Sequence, residues 1–386
     1  MKTLNFLMLA LAPIALALAP LVNRDLDNGI ANNFIVVMKK DADPATVQKH
    51  YGYIHTASQQ LSKGKKGVVK TFQVHGFNAY HVECDNATLD AIRKTPAVDY
   101  VAQDHTVTVQ AVLNQPVARQ TPNTWGLGRI SHRQPNNPVY VDQSAPQTRA
   151  YILDTGIRLT HKNVDDNGHG THTAGTVGGN TVGVNNSTML IAVKVLDQNS
   201  TGSWSGLISG MEWAVKDAQS KNSITSSVIN MSIGGPKYQA LNDCIKNTVA
   251  AGMTVVVAAS NYGADACTYS PASAPEAITV AATDETDTRP DWSNWGTCVD
   301  IFAPGNNIYS AWKDSDSAYQ TLSGTSMASP HVAGLTTYLM SREGISSPTN
   351  VVNRMLQLGT ANKVKNGNKG SPNLIAFNGN AAELSQ

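Results

Sequence analysis

Ala150-Tyr151-Ile152-Leu153-Asp154-Thr155-Gly156 is an apolar run that closes on an acid and turns at once on a glycine. A run with no polar alternation reads as a strand buried on both faces, as in parallel sheets. A side chain at its carboxyl end stands where open α/β sheets place functional groups. Four further runs share this character, over residues 190–195, 228–231, 255–259 and 278–281. Helical patterns lie between them. Over 207–218, Leu207, Met211, Ala214, Val215 and Ala218 share one face, and the pattern over 241–249 stops at Gly252, as helices often do. This alternation predicts an α/β layered domain with a mostly parallel central sheet.

Downstream of Asp154 lie two further segments rich in small residues, Asn167-Gly168-His169-Gly170-Thr171-His172 and Gly324-Thr325-Ser326-Met327-Ala328-Ser329-Pro330. An acid, a base and a hydroxyl nucleophile follow one another along the chain, each where a peptide backbone could approach closely. Taken singly, each has a plainer reading. Asp-Thr-Gly also occurs in aspartic proteases, but no second Asp-Thr-Gly or Asp-Ser-Gly supplies the paired carboxylate. His169 and His172 lack the glutamate and the i,i+4 spacing of helical zinc proteases. Ser326 on its own would be an N-cap before the apolar helix expected over 332–340. Together they predict acyl transfer through a serine. The order Asp, His, Ser differs from that of α/β-hydrolases and of chymotrypsin-like enzymes, and Gly324-Thr325-Ser326-Met327-Ala328 lacks the second glycine of a nucleophile elbow.

The chain has 386 residues, 41% hydrophobic and 15% charged, enough for more than one folded unit. Its formal net charge of +1 gives no electrostatic footprint for nucleic acid, and Lys63-Gly64-Lys65-Lys66 reads as a solvated loop. Residues 1–19 carry Lys2, an apolar core and small-x-small sites ending at Ala17 and Ala19, which predicts a signal peptide and export. Pro13 and Pro20 interrupt that core, and about fifteen apolar residues fall short of the roughly twenty a spanning helix needs. No membrane partner is expected. Residues 30–110 predict a small α+β module, with strands at 34–38, 79–83 and 98–101 and a helix over 87–94. Residues 111–124, with Pro116 and Pro122 and no periodicity, read as a linker and processing region, and a second domain follows over 125–386. Cys84, Cys244, Cys267 and Cys298 allow three full pairings, with Cys244 suiting a buried thiol in a helix. Sequons at Asn86, Asn185, Asn186 and Asn199 fit a glycoprotein, while Asn230 reads as too buried to be modified.

From Trp125-Gly126-Leu127-Gly128-Arg129-Ile130 to Asn373-Leu374, the chain resembles the subtilisin-like serine proteases, most closely the fungal proteinase K-like branch. The resemblance implies a three-layer α/β domain in which Asp154 orients His169, His169 acts as base and then acid, and Ser326 attacks the scissile carbonyl. It puts the side-chain oxyanion donor on Asn261. Substrate-binding edges fall on Ser232, Ile233 and Gly234 and on Thr201 and Gly202, with a broad hydrophobic or aromatic preference. The module over 30–110 resembles the inhibitor-type propeptide of these enzymes, an intramolecular chaperone and inhibitor cut away somewhere within 110–120. A stabilising calcium is implied on Asp300 and the carbonyls of Pro275 and Ala277, with no cofactor for catalysis, and Cys267 and Cys298 match a disulfide of relatives. The reading is a secreted, self-processing, monomeric serine endopeptidase acting on proteins and peptides. Only 14 residues separate Asp154 from His169, which motivates one alternative, a peptide-binding pseudoprotease.

Overall fold

The computed structural model describes residues 18–24, 26–61, 67–109, 124–141, 148–158, 165–367 and 369–384. Most of the signal segment, the 63–66 loop, the 111–123 linker and residues 159–164 lie outside these.

The amino-terminal unit comprises β1 (Leu21–Val22), β2 (Gly29–Met38), α1 (Pro44–Leu61), β3 (Gly67–Val74), β4 (Phe77–Glu83), α2 (Asn86–Arg93) and β5 (Val98–Thr108). Its sheet runs β1-β5-β2-β4-β3. The packed unit reaches back to Ala19, whose N–H donates to the Arg93 carbonyl at 2.8 Å. Phe34, Val36, Ile54, Tyr80, Val82, Leu89 and Ile92 are buried between the sheet and its two helices. Val47, Tyr51 and Ile54 set the inner stripe of α1.

The second unit follows in the order α3 (Trp125–Ser131), β6 (Arg149–Asp154), α4 (His169–Gly178), β7 (Met189–Lys194), β8 (Thr201–Ser203), α5 (Trp204–Ser220), β9 (Ser227–Met231), β10 (Gly235–Pro236), α6 (Gln239–Ala250), β11 (Thr254–Ala258), β12 (Tyr269–Ser270), β13 (Ile278–Thr283), β14 (Ile301–Pro304), β15 (Ile308–Ala311), β16 (Tyr319–Leu322), α7 (Thr325–Glu343), α8 (Pro348–Leu358), β17 (Thr360–Ala361) and β18 (Leu374–Ile375). The central sheet is ordered β17-β18-β14-β13-β11-β9-β6-β7, every pair parallel but β17 with β18. The five apolar runs are β6, β7, β9, β11 and β13; four are buried almost throughout, whereas β7, at the edge of the sheet, is only partly buried, with Met189 and Lys194 exposed.

Alternate residues of these strands feed two cores. Tyr151, Leu153, Ile229, Met231, Val255 and Val257 face one side, against Leu207, Met211 and Leu241 of α5 and α6. Ala150, Ile152, Val228, Val256 and Val280 face the other, against Val177 of α4 and Val332 and Leu335 of α7. Three layers result. Truncating one such side chain, for example Leu153→Ala, costs about 2 to 5 kcal/mol. α7 is buried from Thr325 through Met340, so it carries no polar face, and it begins seven residues before the apolar pattern at 332 that announces it.

The first core also crosses between units. Ile35, Val37, Phe72, Phe77 and Val107 of the amino-terminal unit pack with Trp204, Tyr238 and Leu241 of the second. Polar contacts frame this face: Tyr100 Oη donates to Asp243 at 2.5 Å, Tyr238 Oη to the Gln103 carbonyl at 3.0 Å, and the Gln73 N–H to Glu212 at 2.9 Å.

Cys267 and Cys298 form a disulfide with Cα atoms 5.3 Å apart, and Cys84 and Cys244 are buried outside any disulfide. Closing a loop of this length stabilises by about 3 to 4 kcal/mol on a chain-entropy estimate. Asn185 corrects one sequon reading. Its side chain is buried, with the amide donating to Thr337 Oγ1 at 3.1 Å, so it cannot carry a glycan, whereas Asn86, Asn186 and Asn199 are exposed. Asn230 is fully buried. Among the described residues no helix is long and apolar enough to cross a membrane.

Candidate active site

Asp154 is the last residue of β6 and is wholly buried, and His169 opens α4. The His169 Nδ1 donates to the Asp154 carboxylate at 2.8 and 2.9 Å, so the 14-residue connection brings acid and imidazole together. Thr155 N–H also donates to Asp154 Oδ1, at 2.7 Å. The outer ring nitrogen, Nε2, is buried with no hydrogen-bond partner among the described residues.

What holds the imidazole there is Asp165, which the sequence reading passes over. Its Oδ1 accepts from Gly168 N at 2.7 Å, Asn167 N at 3.1 Å and Thr155 Oγ1 at 3.0 Å. Its Oδ2 accepts from the N–H and hydroxyl of Thr171 at 2.8 and 2.5 Å. One carboxylate thereby fills the amino terminus of α4 and ties it to the turn after Asp154. The signal was present, because an acid a few residues before a helix start is a capping pattern. His172 is a neutral core histidine: burial pushes its ring down to about 3, and Nε2 donates to the carbonyls of Ile308 and Gln320 at 3.0 and 3.1 Å.

Ser326 is the second residue of α7, which packs against α4. Its hydroxyl donates to the Ser232 carbonyl at 3.1 Å, and the Ser232 hydroxyl donates to the Ser326 carbonyl at 2.9 Å. The hydroxyl is therefore turned toward the 232–234 edge, leaving the bond to His169 unmade. Behind it, Asn230 donates to Ser232 Oγ at 3.0 Å and accepts from Ser329 Oγ at 2.8 Å, a buried network that fixes the edge to α7. Asn261 follows β11, and its Oδ1 accepts from the Thr325 N–H at 2.9 Å and the Thr325 hydroxyl at 2.7 Å. With the oxygen so engaged, the amide nitrogen faces the other way. A Cβ built on Gly324 would lie 3.2 Å from Asn261 Nδ2 and 3.5 Å from Ser326 N, so the absence of a side chain leaves room between two donors. Such a pair can bind a developing oxyanion.

Two backbone edges flank this point. β8 pairs antiparallel with the end of β5, in the register Thr106 with Ser203, Val107 with Gly202 and Thr108 with Thr201, and Val109 N–H donates to the Ser200 carbonyl at 3.1 Å. Thr108 also bridges antiparallel to Gly234 of the other edge. The amino-terminal unit thus inserts its last described strand between both predicted substrate edges, by strand addition. Val107 is buried beside Trp204 and Gly235. At the head of α5, Asp104 is fully buried and accepts from Ser205 N at 3.2 Å and Ser205 Oγ at 2.6 Å.

Pro275, Ala277 and Asp300 lie away from this groove, where β13 begins. Asp300 Oδ2 accepts from the Thr279 N–H at 2.8 Å, and burial pushes its carboxyl up to about 6.

The chain is similar to known proteins. Residues 76–376 match the Subtilase family and residues 33–110 match Peptidase inhibitor I9. Subtilisin-like protease 2 of Pseudogymnoascus destructans is 41% identical over 92% of this chain and 90% of its own. A cuticle-degrading serine protease of Arthrobotrys oligospora is 40% identical over 93% of each chain. The crystal structure of a cold adapted subtilisin-like serine proteinase aligns with a TM-score of 0.62 at 36% identity, covering 67% of this chain and 99% of that one. A domain match over most of the sequence, close relatives along nearly its full length and a shared fold make this chain a member of the subtilase family of serine endopeptidases, carrying an inhibitor-type propeptide.

Proposed function

We propose that Ser326 is the nucleophile of this endopeptidase, with His169 as general base and acid, Asp154 as its orienting carboxylate and Asn261 as oxyanion donor. Attack of Ser326 Oγ on a scissile carbonyl passes its proton to His169 Nε2, and buried Asp154 stabilises the imidazolium so formed. The carbonyl oxygen, now negative, is held by the Asn261 amide and the Ser326 N–H. His169 then protonates the departing amine, and water, activated by the same imidazole, hydrolyses the acyl-enzyme. The observation that carries this reading is the Asp154 to His169 pairing at 2.8 Å beside a groove already filled by a strand of the same chain. It also disfavours the pseudoprotease reading, whose basis was the short connection.

Ser232, Ile233 and Gly234 with Thr201 and Gly202 are proposed as the two substrate edges. Val107 marks a pocket for an apolar side chain. Thr108 bridges Gly234, two residues from Ser232, whose carbonyl holds the Ser326 hydroxyl, so the bond two residues past Thr108, after position 110, is the proposed processing bond. Positions 110 and 111 lie outside the described residues. The unit over 30–110, with its extension to Ala19, would act as folding aid and inhibitor, followed by the 111–124 linker and the peptidase domain over 125–386.

Export through the amino-terminal segment, cut at the site ending at Ala17 so that Ala19 stays with the packed unit, and glycan addition at Asn86, Asn186 or Asn199 complete the proposal, with a monomer as the working form. A structural calcium is proposed at Asp300 with the carbonyls of Pro275 and Ala277. Hard oxygen donors suit that ion, and a buried carboxyl raised to about 6 gains from a neighbouring cation. It would cross-link the chain where β13 begins and take no part in catalysis.

Secretion of the precursor beside Ser326→Ala, followed by a fluorophosphonate probe and intact mass, tests the whole. The expected result is one label on the wild type, loss of its prosegment, and neither in the variant, with turnover falling on the order of 10⁶-fold. Secreted wild-type protein that stays intact and unlabelled overturns the assignment.

A further inference from the structure

Ser260 stands directly before Asn261, in the left-handed region at φ 78°, a conformation that costs a residue with a side chain. It is buried, and its hydroxyl has no hydrogen-bond partner among the described residues. A buried hydroxyl left alone is costly unless something else satisfies it. The direction in which it points is informative. A Cβ built on Gly234, on the opposite substrate edge, would collide with the Ser260 Oγ and lie 3.3 Å from the Ser260 Cβ. The Ser260 side chain therefore spans the slot between the 232–234 edge and the segment that leads to Asn261.

That slot adjoins the proposed nucleophile on both sides. Ser232 at one wall accepts the Ser326 hydroxyl, and Asn261 at the other holds Thr325. The residue that brings its carbonyl to Ser326 has to lodge its side chain between these walls. Backbone relaxation cannot clear the space, because the Ser260 carbonyl accepts from Asn294 N–H at 3.0 Å and Asn294 Oδ1 accepts from Tyr262 N and Ala264 N at 2.9 and 3.0 Å.

Resting on the assignment of Ser326 and the two edges, we propose that Ser260 sets specificity for the residue just before the scissile bond. Its bulk excludes aromatic side chains there, and its unpaired hydroxyl selects a polar side chain that can hydrogen-bond to it. The apolar preference of the enzyme is thereby confined to the pocket that Val107 fills, three residues before position 110.

The test uses the mature protein from the self-processed precursor, counted by fluorophosphonate titration, on tetrapeptide p-nitroanilides that differ only in a final Ala, Gln or Phe. The wild type is expected to cleave Gln best and Phe worst. Ser260→Gly opens the slot, so its Phe to Ala ratio of kcat/KM should rise at least tenfold, within the range that a change of this size in a pocket produces. Ser260→Ala keeps bulk without the hydroxyl, so it should still discriminate against Phe while losing the preference for Gln over Ala. A Phe to Ala ratio that is the same in wild type and Ser260→Gly overturns the proposal, as does a wild type that prefers Phe. Failure of the underlying assignment looks different, since titration would then find no labelled Ser326 before any peptide is added.

Discussion

Two helices present the candidate chemistry, and their amino termini are used in opposite ways. α4 begins at His169, and its free N–H groups are taken up by the Asp165 carboxylate, which receives those of Gly168 and Thr171. α7 begins at Thr325 with no carboxylate cap; Asn261 takes the Thr325 N–H, and the N–H of Ser326 faces the gap beside Gly324. On the proposed assignment, the same partial positive charge holds a side chain at one end and stays available at the other for charge that develops only during reaction. A base must be oriented before the substrate arrives, so a permanent anion suits its helix. An oxyanion exists only transiently, so a permanent anion at α7 would occupy its place.

The largest test of this contrast after loss of the nucleophile is Asn261→Ala, which empties one donor from the open end. Turnover should fall about 10²- to 10³-fold with KM little changed. Because Asn261 also receives both bonds from Thr325, Thr325→Val sharpens the result: it removes only the hydroxyl bond, and should lower turnover less. Equal losses in the two variants would mean that Asn261 acts by holding α7 rather than by donating.

At the closed end, Asp165→Asn keeps the shape and removes the charge. An uncharged cap holds the His169 turn less firmly, and an error of about 1 Å in catalytic geometry can cost up to 10²-fold in rate. The expected losses are tenfold to a hundredfold in turnover and about 1 to 2 kcal/mol in stability, read by kinetics and thermal melting. If stability falls and turnover does not, Asp165 caps the helix without positioning the base.

Away from both helices, Asp300 gives the smallest effect. Its folded-state pKa of about 6 lies above the ordinary carboxylate value, so folding favours its protonated form. Without calcium, its contribution to stability is fullest at low pH and is lost as pH rises through about 6, a change on the order of 2 to 3 kcal/mol. Melting curves in a chelator should therefore show an Asp300-dependent decline between about pH 4 and 6 that Asp300→Asn abolishes. Added calcium should oppose the decline in the parent protein but not in the variant. A parent protein whose melting is indifferent to calcium would remove the metal from the proposal.

Much of this was legible in the chain because it rests on local pattern. The five apolar strands announce themselves as such, although the pattern does not tell that β7 lies at the half-exposed edge, and the glycine-flanked Asp154, His169 and Ser326 segments carry the acid, base and hydroxyl. Where the local signal thins, so does the reading. α1 has only Val47, Tyr51 and Ile54 to mark its inner face, β3 mixes lysine and threonine into its run, and α7 has no polar face from which a period could be read. Asp165 was hidden by its neighbour Asp166, since the sequence does not say which acid turns inward.

By itself, then, the sequence determined the layered fold and the family and supplied the proposed order of the reacting groups, because strand and helix patterns and short motifs are properties of neighbouring residues. Tertiary structure alone decided that the Ser326 hydroxyl rests on Ser232, that β5 lies between the two edges, and that Ser260 reaches across to Gly234. Those contacts join residues tens to more than a hundred positions apart, and packing, not local propensity, brings them within bonding distance.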